Sequence, residues 1–164
     1  MASFVITGHP LAPTRAPSDD SVMGTDVFDA LRRGERWAWE RAYGAYARRL
    51  NSYLCLRLGG RDAAADALSK TFVRAVEGCS RLRGGPDSLP VHLFRIARRV
   101  ADEAAPRPET TDGISGAGRE VLALRLGAGL SCSEIAKVVG RRTAAVRMDQ
   151  LRALEALAAG AHGG

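Results

Sequence analysis

The sequence predicts an all-α protein of two small helical modules, the C-terminal one a helix-turn-helix, joined by a short Pro-rich linker. Three observations lead there. Apolar residues make up 46% of the chain but aromatics only 5%, so a core must be built largely from small aliphatic side chains, and β-branched runs are missing. Apolar positions recur at intervals of three and four along most of the chain. Residues 131–151, SCSEIAKVVGRRTAAVRMDQL, place two amphipathic segments on either side of a glycine turn.

Taken in order, residues 1–24 are rich in Pro, Ser, Thr and Gly without a period, and read as a disordered leader. Thr25 is placed to cap a helix from Asp26 to about Arg33. A long helix follows over Arg36–Leu58, its inward stripe formed by Trp39, Tyr43, Tyr46, Leu50, Tyr53 or Leu54, and Arg57. Gly59-Gly60 ends it. The next helix, Arg61 to about Gly78, turns Ala64, Ala67 or Leu68, Phe72 and Ala75 or Val76 inward. Its polar face carries Asp62, Asp66, Lys70 and Arg74 as an i, i+4 ladder. After a Gly-Gly-Pro loop, a helix beginning at Ser88 buries Leu93, Ile96 or Ala97 and Val100. Arg95, Arg98 and Arg99 form its basic edge, and Pro106 and Pro108 stop it. No strand pattern is apparent in this reading. The modules thus span 25–105 and 117–160, with a linker over 106–116.

The second module opens with a helix from Gly118 to about Leu126, with Val121, Leu122 and Leu124 available for burial. In the helix-turn-helix, Ser131 and Glu134 form a capping box, and Ile135 and Val139 supply the buried stripe of the first helix. Ala136 is small enough for a crossing helix, Gly140 tolerates the positive φ of the turn, and Val146 wedges the second helix against the first. Arg141, Arg142, Arg147 and Arg152 make that second helix basic.

The net charge is +6, and its distribution is more telling than its size. Residues 26–105 hold 15 Lys and Arg against 10 Asp and Glu, and residues 117–158 hold 7 against 4, so both modules are basic and suit a polyanionic partner. Cys55, Cys79 and Cys132 stand far apart with no CxxC, and His9, His92 and His162 are equally scattered. Neither a disulfide framework nor a metal site is expected, and no cofactor. No apolar run reaches the ~18 residues of a membrane span, and the prolines after residue 9 break any secretory signal, so a cytoplasmic protein is expected. Ser131, Cys132 and Glu134 lie together, but Ser131 has a capping role and no His is near, so no enzyme is expected.

Three stretches in order carry a family resemblance. DAAADALSKTFVRAV, HLFRIARRVADEA and GREVLALRLGAGLSCSEIAKVVGRRTAAVRMDQLRALEAL resemble the signature segments of bacterial RNA polymerase sigma factors of the extracytoplasmic-function group, over roughly residues 28–157. The resemblance implies a transcription initiation factor that binds core RNA polymerase and promoter DNA and admits an anti-sigma factor as a further partner. It places polymerase docking on Asp62, Asp66, Ser69, Lys70 and Arg74. Downstream promoter DNA falls on Arg95, Arg98 and Arg99, and the upstream element on Arg141, Arg142, Thr143, Arg147 and Arg152, with Thr143 capping the recognition helix. The departures are polar. Ser69-Lys70 stands for the family's Gln-Glu, His92 for Trp, and Asp102-Glu103 for a basic helix end; Asp149, Gln150 and Glu155 occupy positions where Arg, Leu and a basic residue are usual. Two other readings follow from these: a sigma-like interaction protein that does not direct initiation, and a stand-alone helix-turn-helix regulator.

Overall fold

The computed structural model describes residues 23–105 and 110–161. Seven α-helices are found among them: α1 (Thr25–Arg32), α2 (Arg36–Leu58), α3 (Arg61–Glu77), α4 (Leu89–Ala104), α5 (Gly116–Leu122), α6 (Cys132–Val139) and α7 (Thr143–Ala161). The all-α expectation holds. Nearly all of the expected leader lies outside the described residues.

Helices α1–α4 bury the residues that the periodicity selects. Ala64, Ala67, Leu68, Phe72 and Ala75 of α3 face Leu89, Leu93, Phe94, Ala97 and Val100 of α4, with Trp39, Ala42, Leu50, Tyr53 and Leu54 of α2 completing the core. The Trp39 indole N–H donates to the Leu31 carbonyl at 3.2 Å, fastening α2 to the end of α1. The α2 stripe differs from expectation at one point. Tyr43 is 49% exposed and lies against Phe72 with ring centroids 4.8 Å apart, while the smaller Ala38 and Ala42 take the inward positions. Close helix approach favours alanine there, and the tyrosine covers the seam from outside.

Two caps also differ. Thr25 is the first residue of α1, not its cap; Gly24 stands at the N-cap and its carbonyl accepts from Phe28 N–H at 3.1 Å. Thr143 is likewise the first residue of α7, because the Arg142 carbonyl accepts from Val146 N–H at 3.1 Å. The Asp62–Asp66–Lys70–Arg74 ladder is only partly formed: Lys70 pairs with Asp66 at 2.7 Å, but Arg74 reaches to Glu103 of α4.

Within the expected linker a hairpin appears. Thr110 pairs with Ser115 and Thr111 with Ile114, forming strands β1 (Thr110–Thr111) and β2 (Ile114–Ser115). Asp112 and Gly113, at φ 51° and 74°, supply the two left-handed residues that a tight hairpin turn demands, so an Asp-Gly signal overrides the expectation of no strand. Ser115 then caps α5, accepting from Gly118 N–H at 3.0 Å. The helix expected to run to Leu126 ends at Leu122 and continues as one wide π turn over Ala123–Gly127.

The core does not stop at the linker. Leu124, Ala128, Leu130, Ile135 and Val138 join the same buried cluster as Tyr53, Leu54 and Phe94. The wide turn lies along α2, and α6 lies along α4. At Gly127 of the wide turn, a Cβ atom would stand 2.9 Å from the backbone N and Cα of Tyr53. Glycine is required there by space. At Gly140, with φ +69° and open surroundings, it is favoured by backbone conformation.

Candidate nucleic-acid interface

Helices α6 and α7 form the expected helix-turn-helix. The capping box is complete: Ser131 Oγ accepts from Glu134 N–H at 3.2 Å, and Glu134 Oε2 accepts from Ser131 N–H at 2.8 Å. Gly140 ends α6 in the left-handed conformation, and Arg141 N–H donates back to the Ala136 carbonyl at 3.0 Å. Ile135, Ala136 and Val138 of α6 are buried with Val146 of α7; the stripe runs through Val138, and Val139 is half-buried at its edge. Ala153 packs with Ile114 and Leu122, so the hairpin and α5 brace the far end of α7.

The Ser131 backbone N–H, and to a lesser extent its hydroxyl, hold the Glu134 carboxyl below its ordinary value of 4.5 against the opposing effect of burial. A depressed folded value contributes stability above the unfolded pKa, lost as pH falls through the folded one. Ser131→Ala is therefore expected to cost about 0.5–2 kcal/mol at neutral pH while keeping the acid sensitivity, since the backbone bond to Glu134 survives. Glu134→Gln should flatten the stability profile below pH 4.5. Thermal melts across pH 3–7 distinguish the two.

Arg142, just before α7, and Arg147 and Arg152 on it are exposed, and Arg141 in the turn forms an ion pair with Asp149 of α7. Asp149 keeps only 12% of its side chain accessible, so this acidic departure is spent on Arg141 and does not face outward as a bare carboxylate. Gln150 is half-buried and accepts from Cys132 Sγ at 3.2 Å, which ties α7 to the start of α6.

The basic edge of α4 is differently disposed. Arg95 donates to the Lys137 carbonyl from Nε at 3.0 Å and Nη2 at 2.7 Å, cationic partner to the C-terminal end of α6. Arg98 lies 3.6 Å from Glu120 of α5. Arg99 is exposed. Between α4 and α6 these three arginines, with Asp102, Val138, Val139 and Gly140, line an open cleft of about 470 Å³. His92 is half-buried; burial first, and Arg95 second, hold its imidazole below the ordinary pKa.

The candidate docking face on α3 is exposed at Asp62, Asp66, Ser69 and Lys70, beside Val73. Ser69 Oγ donates to the Ala65 carbonyl at 3.1 Å. Arg74 grips Glu103 through two bonds of 2.9 and 2.7 Å, which hold the Glu103 carboxyl below its usual range.

One group of residues escaped the sequence reading. Glu120, with 1% of its side chain accessible, accepts from the Tyr53 hydroxyl at 2.7 Å and lies 3.2 Å from Arg57 Nε. Arg57, itself only 7% accessible, also donates to Asp102 at 2.8 Å and to the Ala105 carbonyl at 3.1 Å. Arg49 donates to the Ala128 carbonyl at 2.8 Å. Burial first, then the Glu120 charge, push the Tyr53 hydroxyl well above the usual tyrosine pKa. The signal available in the sequence was Arg57 itself, a charge at an inward position of the α2 stripe that calls for a buried carboxylate.

No protein-family model matches the chain. The ECF RNA polymerase sigma factor BldN of Streptomyces coelicolor is 26% identical over 178 residues, covering 87% of this chain and 67% of BldN. Among solved structures, a chain of CnrH in complex with the cytosolic domain of CnrY superposes with a TM-score of 0.71 at 21% identity, over 82% of this chain and 94% of that one. A chain of the RsbN–BldN complex is 28% identical with a TM-score of 0.43, over 80% of this chain and 96% of that one. The fold agrees with the first of these structures, and the sequence agrees with BldN along nearly the same span. The chain is a relative of the ECF RNA polymerase sigma factors, and a sigma-factor role is the one this homology supports.

Proposed function

We propose that the chain binds core RNA polymerase in the cytoplasm and directs it to specific promoters, residues 25–105 and 117–160 acting as two modules across the 106–116 linker. The observation that carries this reading is the helix-turn-helix, with its completed capping box, its left-handed Gly140, exposed Arg142 at the end of the turn, and a second helix presenting Arg147 and Arg152 outward. Arginine at such positions contacts phosphates and reads guanine edges in the major groove. The α3 face of Asp62, Asp66, Ser69, Lys70 and Arg74 is the proposed polymerase contact, and Arg95, Arg98 and Arg99 the proposed contact to downstream promoter DNA. The solved relative CnrH binds the cytosolic domain of CnrY, and an anti-sigma protein is proposed here on the same pattern.

Run-off transcription with purified core polymerase on a pool of genomic promoters tests this. Specific transcripts are expected, and Arg147→Ala should reduce them by roughly one to two orders of magnitude, the effect of losing a base or phosphate contact worth about 1–3 kcal/mol. The second reading, a sigma-like protein that captures polymerase without directing initiation, is favoured by Lys70 at the docking face and by Arg141 being engaged with Asp149. Polymerase capture without transcripts would select it. DNA binding by residues 117–160 with neither capture nor transcripts would select a stand-alone regulator.

A further inference from the structure

At the seam between the two halves, the open cleft of about 470 Å³ collects three guanidiniums from one turn of α4. Arg95, Arg98 and Arg99 stand at i, i+3 and i+4, so they project to one side of that helix. Val138, Val139 and Gly140, at the end of α6, form a facing wall that carries no carboxylate. Among the described residues the acidic lining of the cleft is Asp102 alone, and Asp102 already accepts from Arg57 at 2.8 Å. We propose that this cleft binds a small polyphosphate anion, free or carried by a nucleotide, with the phosphates seated on Arg95, Arg98 and Arg99.

Three guanidiniums against one paired carboxylate leave an excess of positive charge, and concave walls of low dielectric focus its field. Arg95 is fixed in place. Its Nε and Nη2 both donate to the Lys137 carbonyl, at 3.0 and 2.7 Å, which leaves the Nη1 donors for a ligand. Arg98 keeps 28% of its side chain accessible and stands 3.6 Å from the Glu120 carboxylate, with its Nε making no hydrogen bond among the described residues. The nearby charge steadies Arg98 without saturating it. Arg99 is exposed and completes the group. A planar guanidinium meets two phosphate oxygens through parallel N–H bonds, so the donor type suits phosphate better than a compact ammonium would. Arg95, held on Lys137, cannot swing across to share one phosphate with the other two. Linked phosphates fit that spread, and a lone phosphate does not. The volume falls within the roughly 300–1,000 Å³ of small-ligand sites, too small for a duplex. Half-buried Val139 adds an apolar surface on which the sugar or base of a nucleotide rests.

The initiation reading gives these same three arginines to downstream DNA, so the ligand competes with that DNA. The competition rests on that reading; the site itself does not, and it is measured with neither DNA nor polymerase present. Isothermal titration calorimetry of the full chain with inorganic pyrophosphate, at fixed ionic strength, tests it. One saturable site per chain is expected, with a dissociation constant below about 1 mM. Orthophosphate should bind at least about tenfold more weakly, having one phosphate to offer where three arginines stand apart. Arg99→Ala, with helical content checked by circular dichroism, should weaken pyrophosphate roughly tenfold through loss of one charge-assisted pair. Arg61→Ala, which removes an exposed arginine of α3 outside the cleft, should change it less than about twofold, because salt screens charges at that range. ATP with a chelator of divalent cations separates the sources. Affinity no tighter than that of pyrophosphate assigns a free polyphosphate, tighter binding assigns a nucleotide, and either upholds the site. No saturation by either anion at millimolar concentration overturns the proposal. Equal losses in Arg61→Ala and Arg99→Ala also overturn it, since they mark diffuse attraction to a basic surface, and so does orthophosphate binding as tightly as pyrophosphate. Failure of promoter-directed transcription, with saturable and Arg99-dependent binding intact, would overturn the initiation reading and leave the site standing.

Discussion

Phe94→Ala should lower stability by about 3–5 kcal/mol and the thermal midpoint by roughly 10–20 °C. Phe94 is fully buried at the middle of α4, and its ring meets the Tyr53 ring edge-on with centroids 5.9 Å apart and planes at 76°. That pair stands where the core of α1–α4 continues into the wide turn and α6, so truncation opens a cavity bordered by both halves. The surrounding helices are fixed by neighbours on every side and cannot collapse into the space, which places the cost at the upper end for such substitutions. Phe94→Leu retains most of the volume and should cost less than half as much. Calorimetry on the full chain measures both, and a loss below about 1.5 kcal/mol for the alanine variant would show that the two halves do not share this core.

The sequence foretold the helices well where burial is decided by spacing. Ala64, Ala67, Phe72 and Ala75 face inward because a helix in contact with two others has one buried stripe, and that stripe is written in the three-four period. The helix-turn-helix was legible for a different reason: its cap, its glycine and its wedge valine are each demanded by local backbone geometry. The Asp112-Gly113 hairpin was equally local and yet overlooked, since residues bounded by prolines invite a linker reading. What spacing could not supply was partnership across the chain. Arg95, Arg98 and Arg99 look alike on one helix edge, yet only their distances to Lys137 and Glu120 separate the first two from the third. The same applies to Asp149, an apparent obstacle to DNA that Arg141 neutralises eight residues away.

These partnerships change how the basic composition is understood. Several of the arginines counted toward a polyanion partner are engaged within the chain: Arg49 and Arg57 on the seam, and Arg74 with Glu103 at the surface. Exposed cations remain on both halves, among them Arg36, Arg61, Arg95, Arg99, Lys137 and Arg147, so the net charge of +6 is not gathered on one face.

Replacing Arg57 or Glu120 singly should cost up to about 3–5 kcal/mol in urea denaturation, whereas replacing the cluster as a whole should cost little or even stabilise. Arg57→Met leaves Glu120 buried with its principal cation gone; Glu120→Leu leaves Arg57 and the Tyr53 hydroxyl facing an apolar side chain. The triple variant Tyr53→Phe, Arg57→Met, Glu120→Leu has no buried charge to strand, and Arg98, partly exposed, turns to solvent. The triple variant should therefore be at least as stable as wild type. A triple variant as unstable as the singles would show that the polar cluster contributes net stability.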